Sequence, residues 1–118
     1  MAGEPRIIRE KMTAEEITQI AADTFGDMIK IVVDVDRGIL AAGGMLHADA
    51  EALLLEDGSN QFDIWGANYF LQRIPNAKLE YTALINIRPS DKNTAQHIQS
   101  KDIRRKVKAI VEQWMGPS

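Results

Sequence analysis

The chain has 118 residues, 45% hydrophobic and 26% charged, with a formal net charge of −3 and no cysteine. This length suits one globular domain with its own core, and the missing cysteine excludes disulfides, thiolate zinc sites and cysteine nucleophiles and fits a cytoplasmic, reducing compartment. The acidic balance removes the general positive field of a nucleic-acid binder, and the opening Met-Ala-Gly-Glu-Pro-Arg, with no long apolar run behind it, predicts neither a signal peptide nor a membrane span.

Arg6 to Arg9 reads as a short strand. Thr13 and Glu16 then form a Thr-x-x-Glu capping box, with Met12 placed to staple onto Ile17. The helix they start should bury Ile17, Ile20, Ala21 and Phe25 and stop at Gly26. From Met28 the period changes to two: Ile29, Ile31, Val33 and Val35 share one face, Lys30, Val32 and Asp34 the other. Asp36-Arg37-Gly38 supplies a turn, after which a strand from Ile39 to about Leu46 returns antiparallel, its Gly43-Gly44 marking a bulge or a close backbone approach.

Asp49 is placed to cap a helix from Ala50 to Asp57, although Leu53-Leu54-Leu55 also suits a strand. Phe62 to Leu71 and Leu79 to Arg88 read as two more strands around a Pro75-Asn76 loop, the second with Leu79, Tyr81, Ala83, Ile85 and Ile87 on its core face. Pro89 to Gln99 is polar loop. Ser100 caps a last helix burying Ile103, Val107, Ile110, Val111 and Trp114, and Gly116-Pro117 ends it. The expectation is an α+β fold, with a mostly antiparallel sheet and its helices on one face. Its first six elements match the ferredoxin-like order, with an extra strand and a C-terminal helix added.

Two constellations carry candidate chemistry. His47, Asp49 and Glu51 join an imidazole to two carboxylates, a donor set for a divalent metal; the plainer alternative is that Asp49 caps the helix, Glu51 sits in its first turn and His47 satisfies a backbone group. If Leu71 faces Lys78, Gln61 falls opposite Arg88, Asp63 opposite Asn86 and Trp65 opposite Leu84. With His47 and Ser59, the patch Gln61, Asp63, Trp65, Asn86 and Arg88 would grip a small anionic or amide-bearing ligand; the alternative is a plain Asp63–Arg88 cross-strand pair. The run Lys101, Arg104, Arg105, Lys106 and Lys108 reads as a solvated helix face, and His97 as a solvent histidine. Val32, Trp65 and Leu84 fall on the sheet face left uncovered by one helix layer, which predicts a homodimer across it or the last helix folded back.

The segments Phe25-Gly26-Asp27-Met28, Leu46-His47-Ala48-Asp49, Asp63-Ile64-Trp65-Gly66-Ala67-Asn68 and Ile85-Asn86-Ile87-Arg88-Pro89 make the chain similar, over most of its length, to a family of small uncharacterised prokaryotic proteins, a domain of unknown function. The resemblance implies a prokaryotic or mobile-element origin and no catalytic role. Together these readings predict a small α+β binding module without a cofactor, homo-oligomeric, taking a small-molecule ligand and neither nucleic acid nor membrane. The competing expectation is a metal-dependent hydrolase or lyase using His47, Asp49 and Glu51, with Glu56 as general base.

Overall fold

A computed structural model describes residues 3–117; Met1 and Ala2, part of the segment read as carrying no signal peptide, lie outside the described residues, as does Ser118. The elements are β1 (Arg6–Ile8), α1 (Ala14–Ala22), β2 (Met28–Asp34), β3 (Ile39–Ala42), α2 (His47–Glu56), β4 (Ile64–Phe70), β5 (Leu79–Glu80) and α3 (Lys101–Met115). The sheet runs β1-β3-β2-β4-β5, and each of these pairings is antiparallel. The fold is α+β. The ferredoxin-like order is not confirmed: β1-α1-β2 does form a split βαβ unit whose parallel strands flank β3, but β4 lies beside β2 and not beside β1, which is left at the edge.

Local chemistry sets α1 and α3 where the residues place them. Thr13 Oγ1 accepts from the Glu16 backbone N–H at 3.1 Å, and the Glu16 carboxylate accepts from the Thr13 N–H at 2.9 Å. Met12 and Ile17 are both buried beside this box. Beyond the helix, Gly26 takes φ +90° and donates to the Ala21 carbonyl at 2.6 Å. Phe25, expected in the core, instead stands 38% exposed past the last turn, with the Lys30 ammonium 5.3 Å from its ring. Ser100 Oγ accepts from Ile103 N–H at 3.2 Å to start α3, which buries Val107, Val111 and Met115. Trp114 Nε1 donates to the Gly38 carbonyl at 2.8 Å and ties the last helix to the β2–β3 turn.

Several boundaries differ from expectation. β3 stops at Ala42, because Gly43 and Gly44 take φ +104° and +82° and pass against Glu4 and Pro5; a Cβ on Gly44 would lie 3.1 Å from Pro5 Cδ. The glycine pair thus marks a close approach. α2 begins at His47 with Leu46 as its N-cap, so Asp49 does not cap it but sits in its first turn, where a carboxylate still faces the positive end of the helix dipole. Gln61–Asp63 is a single 3-10 turn rather than strand. β5 pairs Leu79 with Tyr69, one residue out of step with the expected register, and ends at Glu80. The alternating stretch after it leaves the sheet, and Leu84–Asn86 closes a 3-10 turn instead.

The sheet is covered on both faces, which corrects the single helix layer. α1 and α3 pack over Ile29, Ile31, Val33, Leu40, Ala67 and Tyr69, while α2 covers Val32, Ile39, Ala41 and Ile64 with Ala50 and Leu54. The face expected to be open to a second copy is therefore closed by α2: Val32 is fully buried, Trp65 lies 3% exposed in the core of the opposite face, and only Leu84 is open, at 71%. Among the described residues no helix is long and apolar enough to cross a membrane.

Two substitutions test this packing. Thr13→Ala removes the box and should lower stability by about 1 kcal/mol, read as a shifted denaturant midpoint. A Cβ on Gly66 would come within 2.5 Å of Ala83 Cβ, so Gly66→Ala should cost about 1–3 kcal/mol in the same measurement.

Candidate functional site

The outer edge of β4 organises everything around it. With β5 only two residues long, the peptide groups of Ile64 and Gly66 have no strand beside them, and buried peptide groups left unpaired are costly. Side chains replace the missing strand. Asn86 Oδ1 accepts from Gly66 N–H at 2.8 Å while its Nδ2 donates to the Gly66 carbonyl at 2.9 Å and to the Gln96 carbonyl at 2.9 Å. Arg88 donates to the Ile64 carbonyl at 2.8 Å and to the Gln61 carbonyl, with its guanidinium carbon 3.8 Å from the centre of the Trp65 ring. Asn93 locks the loop from behind: its Nδ2 donates to the carbonyls of Asn86, Ala95 and His97, and its Oδ1 accepts from Gln99 N–H.

The expected patch is thus brought together only in part. Gln61, Trp65, Asn86 and Arg88 do converge, but Gln61 contributes its carbonyl, Trp65 is core, and the fully buried Asn86 amide spends its hydrogen bonds on the chain itself. Asp63 lies near Arg88 as a charge without a bridge between them, Asp91 being the carboxylate within 3.9 Å. Ser59 belongs elsewhere, donating to the buried Asp34 carboxylate at 2.6 Å and accepting from Arg37 at 2.8 Å. Arg37 also bonds Asp57, which holds that carboxyl below the usual range, with Arg9 as a second cation. This network fastens the β2–β3 turn, whose Asp36 and Arg37 N–H groups both donate to Asp34 at 2.9 Å.

His47, Asp49 and Glu51 do not come together either. Asp49 and Glu56 line a groove on one flank of α2 with Glu4 and Asp23, whereas Glu51 sits toward Gln61 and Arg88, its pKa pushed up by burial against the pull of Arg88. Among the described residues no group of three or more His, Cys, Asp or Glu is arranged to hold a metal ion.

His47 itself opens on a different groove, of about 550 Å³, between the start of α2, the face of β2 and β4, and the segment Thr82 to Ile85. The residue is 9% exposed, and Nε2 lies 2.9 Å from the Ala67 carbonyl. A carbonyl only accepts, so the Nε2 of the neutral ring carries the proton and Nδ1 is left as an acceptor. Burial pushes the His47 pKa down, helped by the Lys30 charge and opposed by its bond to Ala67 and by the nearby Asn68 amide. Lys30 and Asn68 are cross-strand partners and line the same groove. Asn68 is 8% exposed; its Nδ2 donates to Glu80 at 2.9 Å and to the Thr82 carbonyl, while its buried Oδ1 has no hydrogen-bond partner. Met28, Leu46, Leu84 and Ile85 supply apolar walls, and no Asp or Glu lines the groove.

Of the polar groups here, the sequence points to His47 alone as a site residue, and Leu84 enters it only as an exposed apolar position. Lys30 was legible as the cation on the off-core side of β2, and Asn68 as the last residue of Trp-Gly-x-Asn, but their meeting depends on the β2–β4 register.

A protein-family model matches residues 6–114, described as a protein of unknown function (DUF5674), and the chain belongs to that family. Neither the search of curated proteins nor that of solved structures returned a match.

Two outcomes follow. Asn86→Ala strips partners from both Gly66 peptide groups and the Gln96 carbonyl, so it should cost at least about 2 kcal/mol in denaturant unfolding, far more than an exposed loop asparagine would. The unfolded His47 ring takes a proton near pH 6.5 that the folded ring resists. Its contribution to stability is therefore complete above that pH and fades as the pH falls toward the lower folded value. NMR titration should place the His47 midpoint below 6.5, and His47→Gln should flatten that part of the stability profile.

Proposed function

We propose that this protein is a small-molecule binding module and that its site is the groove around His47. The observation that carries this reading is Asn68 Oδ1, a buried acceptor without a partner, on the wall of a groove that also presents a buried imidazole and an ammonium. Buried polar groups are normally paired, and an unpaired one costs about 1–3 kcal/mol unless something supplies the missing donor. The volume lies within the range of about 300–1,000 Å³ typical of ligand pockets, and the lining has the expected make-up of apolar walls with a few convergent polar groups. Leu46 and Leu84 stand 58% and 71% exposed at the rim, apolar surface that a bound molecule would remove from water.

The Asn86–Arg88 cluster does not compete as a site, because its hydrogen-bonding groups serve the edge of β4. The metal-dependent alternative gains no support from geometry that separates His47 from Asp49 and Glu51. The homodimer has lost the surface that motivated it, so no second copy enters the proposal.

A ¹H–¹⁵N titration with a library of small acids, alcohols and amines tests it. Binding should move the amides of Lys30, His47, Asn68 and Ala83 together, and Ala48→Trp, placed at an exposed groove position, should abolish those shifts with stability changed by no more than about 0.5 kcal/mol. Shifts confined to other parts of the surface, or none from any compound, would overturn the reading.

A further inference from the structure

The groove's polar groups specify more than the presence of a ligand. Its charge has one sign: Lys30 is the cation on its wall, with no salt bridge to a carboxylate among the described residues, and no acid lines the groove. The first turn of α2 opens on the same wall through Leu46, His47 and Ala48, and Leu46 has no side-chain oxygen to accept from its amides. The amide end of a helix and a nearby ammonium both favour an anion, although Asp49 N–H turns back to the Leu46 carbonyl at 3.1 Å. Glu80 lies on the far side of Asn68, bonded to its Nδ2, and Asp49 faces the other flank of α2, so neither neutralises Lys30 within the groove.

Two of the remaining polar atoms are acceptors, beside the Thr82 hydroxyl and the Gln96 amide, which can donate or accept. Asn68 Oδ1 has no donor, and neutral His47 offers Nδ1 as a lone pair because its proton is turned to Ala67. A ligand that satisfies both halves of the groove must bring an anionic group for the Lys30 side and a hydrogen-bond donor for the Asn68 side. An ammonium would be a poor donor here, since it would meet Lys30 with no carboxylate to offset the repulsion. A hydroxyl has no such penalty. The apolar walls, Met28, Leu46, Leu84 and Ile85, receive the body of the molecule.

We infer that the groove takes a small apolar monocarboxylate carrying an uncharged hydrogen-bond donor beside its carboxylate, a branched 2-hydroxy acid being the simplest such molecule. This rests on the binding-module reading above and names the ligand class of that same groove.

Four six-carbon probes separate the contributions by NMR titration: 2-hydroxy-4-methylpentanoate, 4-methylpentanoate without the donor, 4-methylpentane-1,2-diol without the charge, and leucine with an ammonium in place of the hydroxyl. The hydroxy acid should bind at least about tenfold more tightly than each of the other three, as expected for the loss of one charge-assisted or buried hydrogen bond. Lys30→Gln, with its fold checked by amide dispersion, should weaken the hydroxy acid by about tenfold and leave the diol unchanged. If the diol or leucine binds in the groove as tightly as the hydroxy acid, or Lys30→Gln leaves the hydroxy acid unaffected, the ligand class is wrong while the groove remains a binding site. Silence from all four overturns the class, and the binding-module reading falls with it only if the wider library is silent too.

Discussion

The outer edge of β4 is the constraint on which the rest of the structure depends. A sheet edge carries a row of peptide groups that must be paired, covered or hydrated. β5 supplies two residues of pairing and then leaves. Asn86 completes the edge by presenting one side-chain amide as though it were a peptide group, accepting from and donating to the same residue, Gly66. That replacement requires the 83–86 segment to lie very close to β4, and the closeness leaves no space for a Cβ at position 66. Glycine at 66 and asparagine at 86 are thus two halves of one arrangement. Arg88 extends it by one more peptide group, and its flat guanidinium, stacked on Trp65, could not be replaced by a lysine ammonium on the same terms.

The second organising fact is that both faces of the sheet are buried. β2 shows why this was hard to foresee. Its off-core face reads Lys30, Val32, Asp34, a sequence that resembles a solvated edge with one valine in it. In the fold Val32 and Asp34 are fully buried, the first beneath α2, the second because two backbone N–H groups and Ser59 surround its carboxylate. A carboxylate can be buried at modest cost when its oxygens are matched by fixed donors, and alternation of residue types cannot signal that donors will be there. α2 was legible as a helix, but with one turn less and without a face to cover.

The parts read correctly from sequence are those whose physics is local. The Thr13–Glu16 box and the Ser100 cap each involve groups three residues apart, so spacing alone specifies them. The Leu79 to Arg88 stretch shows the limit. Its alternation is real, yet Asn86 N–H and Ile87 N–H close a turn onto Ala83 and Leu84, and from there side chains, not backbone, meet β4. The strand reading nevertheless grouped Gln61, Trp65, Asn86 and Arg88, because antiparallel neighbours and a returning loop bring the same ends of the chain together. What it could not assign was their task, since polar residues that pair with backbone look the same in sequence as polar residues that await a ligand. His47 was visible as a candidate; Lys30 and Asn68 became its partners only through a register between strands far apart in the chain.

The edge and the groove are finally one problem. Asn68 is a β4 residue whose Nδ2 must help hold the departing strand, donating to Glu80 and to the Thr82 carbonyl. Once that amide nitrogen is committed outward, the planarity of the side chain decides where its oxygen goes, and the oxygen is left without a donor on the wall shared with His47. His47 cannot supply one while neutral, because its proton is already given to Ala67. Burial keeps it neutral, and Lys30 adds to that preference. The unpaired acceptor is therefore a consequence of how the edge is closed, the same closure that bends Thr82 to Ile85 over the start of α2 and makes the groove.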